Sequence, residues 1–151
     1  MDDATTYRRR LPHWRLDGSI YFVTWRLAFG QPDLNDAERQ LVADALLFFN
    51  GRRYALIAFV VMNDHVHVLV QPREGESLQD LMRSWKGYTG RRMSGAGRIA
   101  PIWQDEYFDR IVRNDMELLQ KLHYIEENPL RRFEIEGGYP WLWWDPSLFD
   151  E

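Results

Sequence analysis

The pattern of apolar and polar positions along this chain predicts an alternation of strands and helices. Aromatic and β-branched runs predict strands at residues 19–27, 55–61, 62–70 and 107–111, and helical spacing predicts helices at residues 35–50, 77–93 and 114–129. The first six elements follow the order β-α-β-β-α-β. This order is typical of an α+β fold, a ferredoxin-like or RRM-like four-stranded antiparallel sheet with two helices on one face. The third helix is an addition to that fold.

Each predicted helix begins at a polar residue that is followed three positions later by an acidic one. The pairs are Asn35 and Glu38, Ser77 and Asp80, and Asn114 and Glu117. A side-chain oxygen at the first position accepts a hydrogen bond from a backbone N–H group that the helix leaves without a partner. Pro129 is predicted to end the third helix, because proline removes a helical hydrogen bond.

Composition limits the class of protein. The chain has 151 residues, 45% of them hydrophobic and 28% charged, which predicts a single globular domain over residues 1–151. It contains no cysteine, which excludes disulfides and thiolate metal sites. It has neither an apolar run long enough to span a membrane nor a signal-peptide pattern, and we expect a cytoplasmic protein with no membrane partner. We expect the acidic, tryptophan-rich tail at residues 133–151 either to pack on the domain, the interpretation we favour, or to be loosely ordered.

Charge is distributed unevenly, although the net charge is −4. Residues 81–104 carry basic side chains and no acidic one: Arg83, Lys86, Arg91, Arg92 and Arg98. A local basic stripe of this kind favours phosphate binding, and the alternative is a solvated helix face. Arg8, Arg9 and Arg10 form a second basic segment, which is either a solvated arm or a further contact with a phosphate backbone.

Two histidines lie in the third predicted strand. Side chains alternate between the faces of a strand, and His65 and His67 therefore share one face while Val66 and Val68 line the other. Two imidazoles spaced in this way can hold one divalent metal ion if a third ligand comes from elsewhere in the fold. The alternative is a pair of half-exposed histidines with no bound metal.

Tyr124 is unusual in the third predicted helix. The apolar stripe of this helix contains Leu118, Leu122 and Ile125, and Tyr124 lies about 200° around the helix axis from Leu122. The tyrosine therefore sits on the polar face. It is expected either on the surface or against a second part of the structure.

Three motifs in order make the chain resemble a known family. They are His65-Val66-His67, then Trp103-Gln104-Asp105-Glu106-Tyr107-Phe108-Asp109, then Tyr124-Ile125-Glu126-Glu127-Asn128-Pro129. This series is similar to that of the REP-associated tyrosine transposases, single-tyrosine members of the HUH superfamily. The resemblance covers about residues 7–132.

The resemblance implies roles for individual residues. His65 and His67 would bind the metal, magnesium or manganese. Tyr124 would be the nucleophile, and Asn128 would supply a third ligand or orient the site. The implied activity is cleavage of single-stranded DNA beside a hairpin, a REP-like palindrome, through a 5′-phosphotyrosine and a free 3′-hydroxyl. A monomer is expected rather than a dimer.

Two other classes of function remain open. The first is a binding module that binds DNA or RNA hairpins without cleaving them. The second is a metal-dependent phosphohydrolase in which water attacks in place of Tyr124. A covalent tyrosine–DNA adduct is expected only for the transposase.

Overall fold

A computed structural model of the chain describes residues 18–133 and 138–148. Each predicted strand and helix is present there, with its ends shifted by a few residues. The elements are β1 (Ile20–Arg26), α1 (Asp36–Phe48), β2 (Tyr54–Val61), β3 (His65–Pro72), α2 (Leu78–Gly95), β4 (Phe108–Val112), α3 (Asp115–Phe133) and β5 (Leu142–Trp144). In the part of the chain that is described, no helix is long and apolar enough to cross a membrane.

The strands form one sheet in the order β4-β1-β3-β2-β5, and every neighbouring pair is antiparallel. The predicted α+β fold class is thus confirmed, with five strands among the described residues instead of four. The fifth strand, β5, comes from the tryptophan-rich tail and pairs with β2, so that Trp143 stacks on Phe59 with ring centroids 5.6 Å apart. Three residues are too few to give an alternating pattern, which explains why this strand was not predicted.

Helices cover both faces of the sheet. Val66, Val68 and Val70 lie in the core that α1 and α2 form on one face. Leu69 lies in the second core, where the apolar stripe of α3 packs on the other face. Burial of each aliphatic side chain in such a stripe stabilises the fold by about 1.5–3 kcal/mol. The alternation within β3 therefore separates the α1 and α2 side of the sheet from the α3 side.

The predicted helix starts are present. The side chain of Asn35 accepts a hydrogen bond from the backbone N–H of Glu38, whose carboxylate accepts one from the backbone N–H of Asn35. Ser77 likewise accepts from the backbone N–H of Asp80. At the third helix Asn114 accepts from the backbone N–H of Glu117 at 2.8 Å. These caps fix where each helix begins relative to the sheet.

The prediction that Pro129 ends the third helix is wrong. Helix α3 continues through Pro129 to Phe133. Proline in a helix costs one hydrogen bond, but its backbone angle is compatible with the helix. Pro129 and the preceding Asn128 are both buried, and we attribute the continuation to this packing. The consequence is an additional turn of helix that carries Arg131 and Arg132, whose guanidinium groups lie near Tyr124 and Asp64.

Candidate active site

His65 and His67 lie side by side in β3, the middle strand of the sheet. Both face the α3 side, and their ring centroids are 4.7 Å apart. They are 9% and 3% exposed, so that the alternative of two half-exposed strand histidines does not hold. Burying two imidazoles on a sheet face is costly unless their nitrogen atoms find partners.

Each histidine has one ring nitrogen held by a neighbour. Nδ1 of His67 and Oγ1 of Thr24, on the adjacent strand β1, are hydrogen-bonded at 2.7 Å. Nδ1 of His65 donates to Oδ1 of Asp64 at 2.7 Å. These contacts orient the rings and leave Nε2 of each as the atom available to a ligand. Among the described residues, the buried Nε2 of His67 has no hydrogen-bond partner.

The two imidazoles are neutral at physiological pH. Burial lowers the pKa of His67 to about 3, and the positive charge of a protonated His65 and of Arg26 acts in the same direction. Burial also lowers the pKa of His65, against the opposing effect of Asp64. A neutral imidazole has a lone pair to give, and this is the form that binds a metal ion.

Tyr124 and Asn128 reach the histidines from α3. The Tyr124 ring meets the His67 ring edge to face, with centroids 5.1 Å apart, and is 42% exposed. Asn128, one turn further along the helix, is 8% exposed, and its side chain acts on His65 in the direction that raises the pKa of that histidine. The structure therefore brings together the four residues singled out by their motifs. Tyr124 avoids the apolar stripe of its helix because it faces this site.

Two cations that were not predicted as site residues flank Tyr124. The guanidinium of Arg131 lies 4.8 Å from the centre of the Tyr124 ring. The amine of Lys121 lies 4.8 Å from the centre of the Phe22 ring, which itself contacts Tyr124. Lys121 precedes Tyr124 by three residues and Arg131 follows it by seven, so helical periodicity could have found both. No sequence pattern indicated Thr24, because it is brought next to His67 only by the pairing of β1 with β3.

A cleft of about 550 Å³ opens beside His67 and Tyr124. Its lining includes Phe22, Phe108, Lys121 and Gln104. Aromatic rings, a cation and the Tyr124 phenol therefore share one accessible space, which is large enough for part of a nucleotide chain.

The basic stripe lies elsewhere. Arg83, Lys86, Arg91 and Arg92 belong to α2, on the side of the sheet opposite His65 and His67. Arg83, Arg91 and Arg92 are exposed, whereas Lys86 donates to the backbone carbonyls of Gln104 and Asp105 at 2.6 and 3.0 Å. Arg98 has a structural role: it donates to both carboxylate oxygens of Glu38 and to the carbonyls of Pro32 and Asp33. Arg8, Arg9 and Arg10 lie outside the described residues.

The donor set fits a weakly held divalent ion. Among the described residues there is no cluster of three or more His, Cys, Asp or Glu side chains that could hold a metal. His65 and His67 would contribute two nitrogens, and the carboxamide oxygen of Asn128 a third atom. This set is uncharged, and a phosphate oxygen of a bound substrate is the kind of ligand that would complete it.

The chain belongs to the family of IS200-like transposases, because the sequence profile of that family matches residues 40–128. The matched stretch contains His65, His67, Tyr124 and Asn128, and ends at the last of these. Membership of a transposase family indicates a DNA-processing enzyme in general terms.

Two proteins similar to this chain are REP-associated tyrosine transposases. The chain is 23% identical to a REP-associated tyrosine transposase of Escherichia coli (strain K12) over 136 residues, 89% of this chain and 78% of that protein. A solved structure of a REP-associated tyrosine transposase bound to a REP hairpin matches this fold with a TM-score of 0.71 at 20% identity, and the match covers 86% of this chain and 79% of that one. The resemblance identified from the motifs is thus confirmed, and the solved structure shares the fold.

Proposed function

We propose that the protein is a metal-dependent transposase that cleaves single-stranded DNA beside a hairpin, with Tyr124 as the nucleophile. The observation that carries the proposal is the convergence of Tyr124 from α3 and His67 from β3, whose rings are in contact. A phenol on the polar face of a helix and an imidazole with a free buried nitrogen have no structural need of each other. Their meeting in an open cleft is explained by a reaction that uses both.

His65, His67 and Asn128 would hold the metal, magnesium or manganese. When bound, the ion would neutralise charge on the scissile phosphate and so make phosphorus easier to attack. Thr24 and Asp64 keep the two imidazoles oriented with Nε2 toward the site. The low pKa of His67 keeps its imidazole neutral, so that protons do not compete with the metal.

The reaction exchanges one phosphate ester for another. The Tyr124 oxygen forms a bond to phosphorus, and the bond from phosphorus to the 3′ oxygen breaks. The phenolic proton is lost, and the departing 3′ oxygen ends as a hydroxyl. The products are a 5′-phosphotyrosine and a free 3′ end. Attack by a 3′-hydroxyl on the phosphotyrosine reverses these steps, joins DNA and releases the phenol.

Cations on both sides of the sheet would bind the DNA backbone. Lys121 and Arg131 flank the tyrosine and would contact the phosphates nearest to it. Arg83, Lys86, Arg91 and Arg92 line or adjoin a second cleft, which shares Gln104 and Tyr107 with the cleft at Tyr124. A strand that passes around the β4 edge of the sheet would reach both groups. Arg8 to Arg10 remain candidates for further contacts.

A denaturing gel tests the proposal most directly. A labelled hairpin oligonucleotide with single-stranded flanks is incubated with the protein and Mn²⁺. The expected result is a slowly migrating protein–DNA band that survives denaturation and disappears after protease treatment. Cleavage without this band would favour the hydrolase that uses water. Binding without cleavage would favour the non-cleaving hairpin-binding module. We expect the active species to be a monomer, with Tyr124 acting on the site of its own chain.

A further inference from the structure

One wall of the site cleft carries an aromatic side chain that the proposed chemistry does not use. Phe108 is the first residue of β4 and is 57% exposed. It lies opposite Thr24 in the pairing of β1 with β4, and Thr24 is the residue that hydrogen-bonds His67. Opposed residues of antiparallel strands have Cβ atoms about 4.5–5.5 Å apart. An exposed phenyl ring therefore stands two side chains away from a candidate metal ligand.

The cleft beside Phe108 has the form of a site for a flat aromatic group. Its floor is the ring of Phe22, which is 4% exposed and stacks on His67 with centroids 5.5 Å apart. Lys121 and Tyr124 border the cleft from α3. The cleft volume of about 550 Å³ lies within the usual range of small-ligand pockets, about 300–1,000 Å³.

Polar side chains at the rim of the cleft can form hydrogen bonds with the edge of a flat aromatic ligand. Gln104 and Glu106 line the cleft together with Phe108. Nε2 of Gln104 donates to the backbone carbonyl of Leu27 at 3.2 Å, which anchors the carboxamide while its oxygen can accept a further hydrogen bond. A pocket with aromatic walls and a few fixed hydrogen-bonding groups is the usual form of a nucleobase site.

On the basis of the proposed function, we infer that this cleft binds one unstacked nucleobase of the single strand, stacked on Phe108. The base belongs to a nucleotide next to the phosphate that Tyr124 attacks. With that phosphate held between Tyr124 and the histidines, an adjacent base comes within reach of the β4 wall. Stacking would fix the register of the strand and thus decide which phosphodiester bond is presented to the phenol.

The same strand offers a matched control. Ile111 is 46% exposed and lies opposite Tyr21, which packs against the core on the α1 and α2 side. Phe108 and Ile111 therefore point to opposite faces of one edge strand. A change in β4 stability would affect variants at both positions, whereas loss of base stacking would affect only Phe108 variants.

The test uses hairpin oligonucleotides that carry 2-aminopurine at one flanking position at a time. Stacking on an aromatic ring quenches the fluorescence of this base. With the full-length protein we expect strong quenching at one position, within one nucleotide of the phosphate that becomes joined to Tyr124. Phe108→Leu should abolish the quenching and weaken binding about tenfold, a loss typical of one stacked base. Phe108→Trp should retain both, and Ile111→Ala should match the wild type.

The results separate this inference from the proposed function. If the covalent band forms but no flanking position is quenched, or if Phe108→Leu leaves the quenching intact, the base site is wrong and the transposase proposal stands. If quenching depends on Phe108 but no covalent band forms, the base site stands and the nucleophile is wrong. If the protein does not bind hairpin DNA at all, both are overturned.

Discussion

Thr24 and His67 are hydrogen-bonded across the β1–β3 pair at 2.7 Å, and this contact determines which nitrogen of the imidazole faces the site. With Nδ1 occupied, only Nε2 of His67 can meet a ligand. Asp64, the preceding residue in the chain, occupies Nδ1 of His65 in the same way. The two partners differ in kind: a hydroxyl supplied by strand pairing, and a carboxylate supplied by the β2–β3 turn.

A first prediction follows for Thr24. Thr24→Val removes the hydroxyl but keeps the shape, and the His67 ring loses its fixed orientation. We expect the cleavage rate to fall about 10- to 100-fold, the range for loss of a residue that orients a metal ligand. Single-turnover cleavage at several Mn²⁺ concentrations is the measurement. Thr24→Ser should restore the rate, and an equal loss in both variants would mean that the hydroxyl does not matter.

The fold could be predicted largely from sequence, because alternation and helical spacing report which face of each element is buried. The histidine pair and Tyr124 also stood out, His65 and His67 by their shared strand face and Tyr124 by its place opposite Leu122. What could not be predicted depends on long-range packing. Thr24 meets His67 only through the register of β1 on β3. The continuation of α3 past Pro129 goes with the burial of that residue, which no local pattern indicates.

The second prediction concerns the linkage between metal and DNA. The uncharged set of His65, His67 and Asn128 should bind Mn²⁺ weakly in the free protein. A substrate phosphate that supplies a further ligand should make Mn²⁺ binding tighter. We expect hairpin DNA to raise Mn²⁺ affinity about tenfold, with an equal effect of Mn²⁺ on DNA affinity. Electron paramagnetic resonance of free Mn²⁺, with Tyr124→Phe protein to prevent cleavage, measures this. The double variant Tyr124→Phe, His67→Ala should show no linkage between Mn²⁺ and DNA binding. If the linkage persists in this variant, the ion binds to the DNA and not to the protein.

The third prediction tests the path of the strand around the β4 edge. Arg83→Gln and Arg91→Gln each remove one exposed cation from α2. If each contacts a phosphate, the slope of log affinity against log salt concentration should fall by about 0.7–0.9 per variant. Arg73→Gln is the control. Arg73 is exposed and follows the last residue of β3, whereas His65 is the first residue of that strand. Unchanged slopes in both α2 variants would restrict the DNA to the α3 side of the sheet.

The fourth prediction concerns pH and stability. The hydrogen bond from Arg98 holds the pKa of Glu38 below its usual value of 4.5. A carboxyl group whose pKa is lowered by folding stabilises the protein above its unfolded-state pKa, and this contribution is lost as the pH falls through the folded-state value. Both side chains are partly buried, at 9% exposed for Arg98 and 15% for Glu38.

Glu38→Gln keeps a residue able to complete the helix cap but removes the charge. We expect the free energy of unfolding at pH 7 to fall by about 2 kcal/mol, the contribution of a hydrogen bond to a charged group. The difference from wild type should shrink as the pH falls below 4.5. Urea unfolding across this pH range measures it. The exposed Glu74→Gln should leave the free energy of unfolding unchanged, and a constant difference at all pH values would show that the ion pair is not responsible.

The last prediction is that Tyr124 itself becomes joined to DNA. Tyr124→Phe keeps the ring, its edge-to-face contact with His67 and the position of Arg131 over it. Folding and hairpin binding should therefore survive, whereas the covalent band should be lost because no attacking oxygen remains at this position. Tyr107→Phe and Tyr88→Phe are the controls: Tyr107 shares the cleft, and the hydroxyl of Tyr88 accepts a hydrogen bond from Arg92 on α2. Both should retain the band. Its persistence in Tyr124→Phe would exclude this residue as the nucleophile, and peptide mapping of the adduct would then identify the residue that attacks.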